Sequence, residues 1–228
     1  MSENVMEIFQ PEEGGFSGLK CIEEKLFALS PIKKCILVYS KNETGGYSLK
    51  DRIPLGIKNA TGITSDGKAL FFADSQEKVI YRVDPETKGS EPYINLRELR
   101  GGNTESIIQA SNSTIKDMEI LGGEMWITFS AGYSSSIIRV LANSEKILMV
   151  IPARGPEPVS ISLDTSAGCM RVLDSSNKEI SDFSFEGEWT GRFTRVPVEN
   201  PSCFSIDRNH RLVISSHVNR DGLKKREV

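Results

Sequence analysis

The chain of 228 residues carries 28 lysines and arginines against 31 aspartates and glutamates, a net charge of -3, so overall charge offers nothing to a polyanion and no nucleic-acid partner is expected. Its four cysteines, Cys21, Cys35, Cys169 and Cys203, have no C-x-x-C spacing, which sets aside a zinc centre and a redox pair and predicts buried thiols. A chain of this length buries a core without staples, and no apolar run is long enough for a membrane span.

The N-terminal stretch MSENVMEIFQPEEGG has acidic residues where a signal peptide needs a basic flank, so a cytoplasmic protein is expected. Within it, Asn4 to Pro11 alternates apolar with polar residues and ends on proline, as an outer strand does. Four short strand patterns follow: GLKCI, LFALS, CILVY and YSLKDRIP. The next group, from Gly62, is the clearest: GITS, ALFFADS and VIYRVD, then PYINLREL. Asp66-Gly67 joins its first two runs, and Asp-Gly between apolar runs is the strongest short hairpin signal because it supplies the positive φ that matches strand twist.

Arg100 to Thr114, RGGNTESIIQASNST, reads as a polar insertion. A third group (DMEIL, MWITFS, SIIRV, KILMVIP), a fourth (PVSISL, MRVLDS, EISDF, GRFTRVP) and a fifth (CFSID, LVISSH, LKKREV) complete the chain. Aligned on the apolar residue that starts each second strand, the groups are anchored at Leu26, Leu70, Met125, Met170 and Leu212, steps of 44, 55, 45 and 42 residues. A period near forty filled by short strands predicts an all-β repeat ring, a β-propeller, as one domain over residues 1–228.

The fifth group lacks a fourth strand. If Asn4–Pro11 pairs beside LKKREV, both chain ends share one blade, and five four-stranded blades close without an open edge. The alternative is a fragment of a six-bladed ring. Second strands that are apolar on both faces, such as Leu70-Phe71-Phe72-Ala73, fit sheets stacked between neighbours. Trp126 is expected in the core, and Trp189 in the turn Glu186 to Gly191 as a cover for its hairpin.

In such a ring, the loops before first strands and after second strands share one face, around the mouth of the axis. That face receives Glu13, Asn59, Asp117, Glu157 and Asn200 ahead of first strands, and Asp74, Asp174 and His217 at the ends of second strands. These are the candidate ligand-binding residues. Carboxylates and amides converging there have the chemistry for a divalent cation or a polar ligand, and they equally suit loop residues that satisfy backbone amides.

The residues Thr61-Gly62-Ile63-Thr64-Ser65-Asp66-Gly67-Lys68, Phe72-Ala73-Asp74-Ser75 and Ile80-Tyr81-Arg82-Val83-Asp84 resemble the repeat shared by gluconolactonase/regucalcin-type, NHL and strictosidine synthase-like propellers. The resemblance implies the architecture. In the lactonase branch, three motifs supply metal ligands: a Glu in E-G-P, an Asn in N-G-L and an Asp in P-D-G-M. Here Glu13-Gly14-Gly15 matches the first in part, whereas Thr61 and Ser202 stand at the other two positions. A streptogramin-inactivating lyase, another relative by repeat, would need a histidine base near the axis. Of the two histidines, His210 aligns to the opposite face, leaving His217.

No G-x-S-x-G, H-E-x-x-H or P-loop pattern occurs. The expectation is a non-catalytic propeller, with no metal or cofactor, that binds a protein or small-molecule ligand on its loop face. The alternative is a metal-dependent hydrolase of the gluconolactonase/regucalcin type with a rearranged site.

Overall fold

The computed structural model describes residues 6–9, 15–43, 46–100, 105–110, 112–131, 135–142, 144 and 146–216; for 6–9, 105 and 106 it describes the backbone alone. Four antiparallel sheets of four strands follow one another along the chain. Sheet 1 holds β2 (Gly18–Ile22), β3 (Lys25–Ser30), β4 (Cys35–Lys41) and β5 (Tyr47–Pro54), after an N-terminal strand β1 (Met6–Phe9). Sheet 2 holds β6 (Ala60–Ser65), β7 (Leu70–Asp74), β8 (Val79–Val83) and β9 (Ser90–Asn95). After a short helix α1 (Glu105–Gln109) comes sheet 3, with β10 (Thr114–Leu121), β11 (Glu124–Ser130), β12 (Ser136–Leu141) and β13 (Ile147–Pro152). Sheet 4 holds β14 (Pro158–Asp164), β15 (Cys169–Asp174), β16 (Glu179–Phe183) and β17 (Trp189–Arg195). A smaller fifth sheet orders β1, β19 (Leu212–Ser216) and β18 (Pro201–Ile206).

Turn chemistry produces these hairpins. Between β6 and β7, Gly67 takes φ +90, and the Asp66 carboxylate accepts from the amides of Lys68 at 2.9 Å and Ala69 at 2.8 Å. The turn is thereby closed by side chain and backbone together. All five alignment residues fall at the first or second position of a second strand.

Five apolar clusters account for the packing, one between each pair of neighbouring sheets. Phe27, Ile36 and Ile53 of sheet 1 meet Ile63, Leu70 and Phe72 of sheet 2. From the other side of β7, Phe71 and Ala73 meet Met118, Met125 and Ile127 of sheet 3. Trp126 and Ile137 then meet Met170 and Val172, and Leu173 and Ile180 meet Phe204 and Ile214. The last cluster joins Leu19, Leu26 and Leu37 of sheet 1 to Cys203 and Val213 of the fifth sheet. First strands touch in the order β2, β6, β10, β14, β18 and back to β2. The arrangement is an all-β, propeller-like ring. Trp126 is buried in it, and the four cysteines are free, three buried and Cys21 half-buried.

Several expectations change. The N-terminal strand joins the last sheet, but β1 pairs directly with β19 in parallel register, Met6 opposite Leu212 and Phe9 opposite Ser215. It therefore occupies the third position of that sheet, the slot the sequence reading assigned to LKKREV, which lies outside the described residues. The fifth sheet accordingly has three described strands where four were expected. Trp189 is no turn residue: it opens β17 opposite Phe183. The insertion is not wholly polar, because Ile108 on α1 is buried against the cluster that holds Leu96, Leu99 and Ile115. No helix is long and apolar enough to cross a membrane among the described residues.

Candidate functional site

The first strands line the axis, and their polar side chains fill it. Asp117 of β10 is buried at the centre of this filling. Its Oδ1 accepts from the Ile63 amide of β6 at 3.3 Å, and its Oδ2 accepts from the Ser160 hydroxyl at 2.5 Å and the Ile161 amide at 3.1 Å, both on β14. The Ser160 hydroxyl in turn accepts from the Phe204 amide of β18 at 3.2 Å. One carboxylate thus ties three sheets together and reaches a fourth through a serine. Burial pushes the Asp117 carboxyl up to about 7, against the Ser160, Ile161 and Met118 hydrogen bonds that hold it down, and the neighbouring Glu119 charge adds to the rise. Gly62 is required beside it: at φ +60, a Cβ there would lie 2.7 Å from the Asp117 Cα. One layer further in, Glu119 accepts from the Lys20 ammonium and the Thr64 hydroxyl.

Above this filling lies a cavity of about 580 Å³, walled by residues of four sheets and by the segment that leads into β2: Ser17, Thr61, Lys116, Glu157, Asn200 and Ser202 are among its walls. A repeated irregularity opens it. The register slips between Thr61 and Ile63, Ile115 and Asp117, Pro158 and Ser160, and Pro201 and Cys203, one extra residue at the same end of four first strands. A bulge re-aims the side chain it displaces, and the displaced Lys116, Val159 and Ser202 line the cavity. Hydroxyls stitch its rim: Ser17 Oγ donates to the Ala60 carbonyl at 3.0 Å and Thr61 Oγ1 to the Lys116 carbonyl at 2.8 Å.

The candidate residues divide between three places. Glu157 and Asn200 line the mouth cavity, and Asp174 adjoins it, its Oδ2 accepting from the Glu157 amide at 2.8 Å. Asp117 lies beneath, in the axial filling. Asn59 lines a separate cavity under the insertion, and Asp74 closes the adjacent turn by accepting from the Gln76 and Glu77 amides. Asp174 closes the matching turn of sheet 4 through the Asn177 amide, and the Glu157 carboxylate accepts from the Ser175 and Ser176 hydroxyls. Glu13 and His217 lie outside the described residues.

No family model matches the chain, and no curated protein matches it in sequence. Solved structures do match. The chain is similar to a glutaminyl cyclase of Myxococcus xanthus, at 11% identity over 94% of both chains with a TM-score of 0.62. The fold is that of a β-propeller. Virginiamycin B lyase of Staphylococcus aureus matches 89% of the chain at 16% identity and a TM-score of 0.51, and this chain spans 63% of the lyase. A chain from a nidogen/laminin complex matches 82% of it at 13% identity and a TM-score of 0.54, with 67% of that chain covered. At such identities the likeness concerns the scaffold, which serves enzymes and binding modules alike.

No three His, Cys, Asp or Glu side chains stand together as an ion-holding group among the described residues, and Asp74, Asp174 and Glu157 are engaged in turns. On the opposite face, His210 Nδ1 lies 3.0 Å from Ser166 Oγ and 3.8 Å from Asp164. Serine and aspartate both face the same ring nitrogen, so the imidazole cannot relay a proton between them as a catalytic triad does.

Sequence reasoning missed Lys116 and Lys178 at the mouth. Lys178 had a detectable signal. A lysine ends the second-to-third turn in PIKKC, SQEKV and SSNKE, and Lys34, Lys78 and Lys178 all take positive φ there, 50, 59 and 51. The bulge that exposes Lys116 leaves no such trace.

Proposed function

We propose that this chain is a non-catalytic binding propeller of the NHL-like kind, with the fifth sheet as a fifth blade, whose mouth cavity takes a small polar ligand. The observation that carries this reading is the bulge-opened cavity. Its volume of about 580 Å³ lies within the range of small-molecule sites. It joins a cation, Lys116, which has no ion-pair partner among the described residues, to the acceptor Glu157 and the exposed amide of Asn200. The candidate acids are already engaged with amides and hydroxyls, which suits orientation of a ligand better than proton transfer to it. A protein loop tip is the other occupant this rim accommodates. The net charge of -3 weighs against nucleic acid, and a cytoplasmic setting without membrane attachment is part of the proposal.

A ligand-observed NMR screen of small polar metabolites tests it. Binders are expected to lose at least tenfold in affinity in Lys116→Glu and Asn200→Ala and to keep it in Lys25→Glu, on the far side of sheet 1. Binders indifferent to the mouth substitutions would overturn the reading. Metal-stimulated lactone hydrolysis abolished by Glu157→Gln would replace it with the hydrolase alternative.

A further inference from the structure

A second cavity, of about 630 Å³, opens beneath the insertion, and its walls include Asn59, Lys78, Arg97, Ile108, Gln109 and Ser113. Its chemistry stands out when the repeat is compared with itself. Lys34, Lys78 and Lys178 close equivalent turns, and the carbonyl of each accepts from the residue that follows the fourth strand: Leu55, Leu96 and Val196. The Lys34 side chain stands in solvent, and Lys178 has a carboxylate partner, Glu199, at 2.6 Å. Lys78 is 6% exposed, yet it has no carboxylate within ion-pair distance among the described residues.

The Lys78 ammonium donates to the Ser113 carbonyl. An ammonium has three donors, so that single contact leaves a buried cation undersatisfied. Burial, then the Arg97 charge, pull its proton affinity below the ordinary lysine value, and Asp74 offsets this in part. Ser113 is 2% exposed, and its Oγ has no hydrogen-bond partner among the described residues. Native proteins rarely set a buried hydroxyl with no partner beside a buried ammonium with a single acceptor along one cavity wall. Arg97 stands at the rim, bound to the Gln76 carbonyl at 3.1 Å and 3.7 Å from the exposed Glu77 carboxylate, with guanidinium donors to spare.

We propose that this cavity is an oxyanion site, separate from the mouth, which takes the phosphate or carboxylate group of a small molecule between Lys78 Nζ, Arg97 and Ser113 Oγ. The anion answers the buried ammonium and the unpartnered hydroxyl together, and Ile108 and Ala110 give the body of the ligand an apolar wall.

The test titrates the intact protein with inorganic phosphate and, in parallel, acetate, at constant ionic strength set by chloride, and follows backbone amide NMR shifts. Saturable shifts centred on Gln76–Lys78 and Ser113 are expected with at least one anion, and the tighter of the two identifies the head group. Lys78→Gln is expected to abolish them. Arg97→Gln, at an exposed position that the fold tolerates, is expected to weaken binding at least fivefold, which decides the matter even if the Lys78 variant does not fold. Lys34→Gln, at the equivalent turn of sheet 1, is expected to bind as the parent does. No saturable shift with either anion, or unchanged binding in Arg97→Gln, would overturn the proposal.

Discussion

Asp117 is the residue on which the axis turns. Its native carboxyl titrates near 7 instead of 3.8, so between those values the native state holds a proton that the unfolded chain has released. Stability therefore falls as pH rises through that window and levels off above it. The loss is on the order of a few kcal/mol, at about 1.4 kcal/mol per tenfold change in proton affinity. Depressed carboxyls such as Asp164 and Asp207 act in the opposite sense, so the comparison must be with Asp117→Asn. Urea unfolding of the two proteins from pH 4 to 8 is expected to show the parent losing stability relative to the variant. Parallel curves would refute the assignment. At this scale the sequence was only partly legible: it placed Asp117 toward the mouth. The bulge between Ile115 and Asp117 turns the Lys116 side chain into the mouth cavity and leaves the carboxylate buried below it.

Among the elements, the hairpins were the most legible part of the chain. CILVY, YSLKDRIP, VIYRV and EISDF fall where alternation and turn residues put them, because each pairs with its sequence neighbour and local chemistry suffices. Trp189 was misplaced because the Gly187 turn is tighter than composition conveys, and β17 starts directly after it. The β1 pairing was legible as to partner sheet but not as to slot, since long-range strand order leaves no periodic signal. That strand covers an edge of β19 which would otherwise present free amides and carbonyls for intermolecular pairing. Deleting residues 1–9 is expected to lower the melting temperature by several degrees and to produce oligomers in light scattering. A monomer with an unchanged melting temperature would show that β1 is dispensable.

For the molecule as a whole, one feature permits a mouth at all: the ring closes where the last sheet meets the first. Besides its apolar cluster, the seam is marked by an ion pair of Arg208 with Glu24 and by three further contacts. The Cys21 amide donates to Ser205 Oγ at 2.9 Å, Cys203 Sγ lies 3.6 Å from the Phe16 carbonyl, and Lys41 stands 3.9 Å from Asp207. Elsewhere around the ring, neighbouring sheets are also successive in the chain; here, residues some 180 positions apart must find each other, against a larger loop-closure entropy. The period near forty foretold a ring, whereas the chemistry at its mouth rests on bulges and on the axial filling, which no single repeat encodes. Native-state hydrogen exchange tests closure most directly. If the seam is part of one cooperative ring, the amides of β2 and β18 exchange as slowly as those of β10 opposite them. Exchange of β2 and β18 faster by two or more orders of magnitude, with β10 still protected, would mean that the ring stands open and that the mouth does not exist as described.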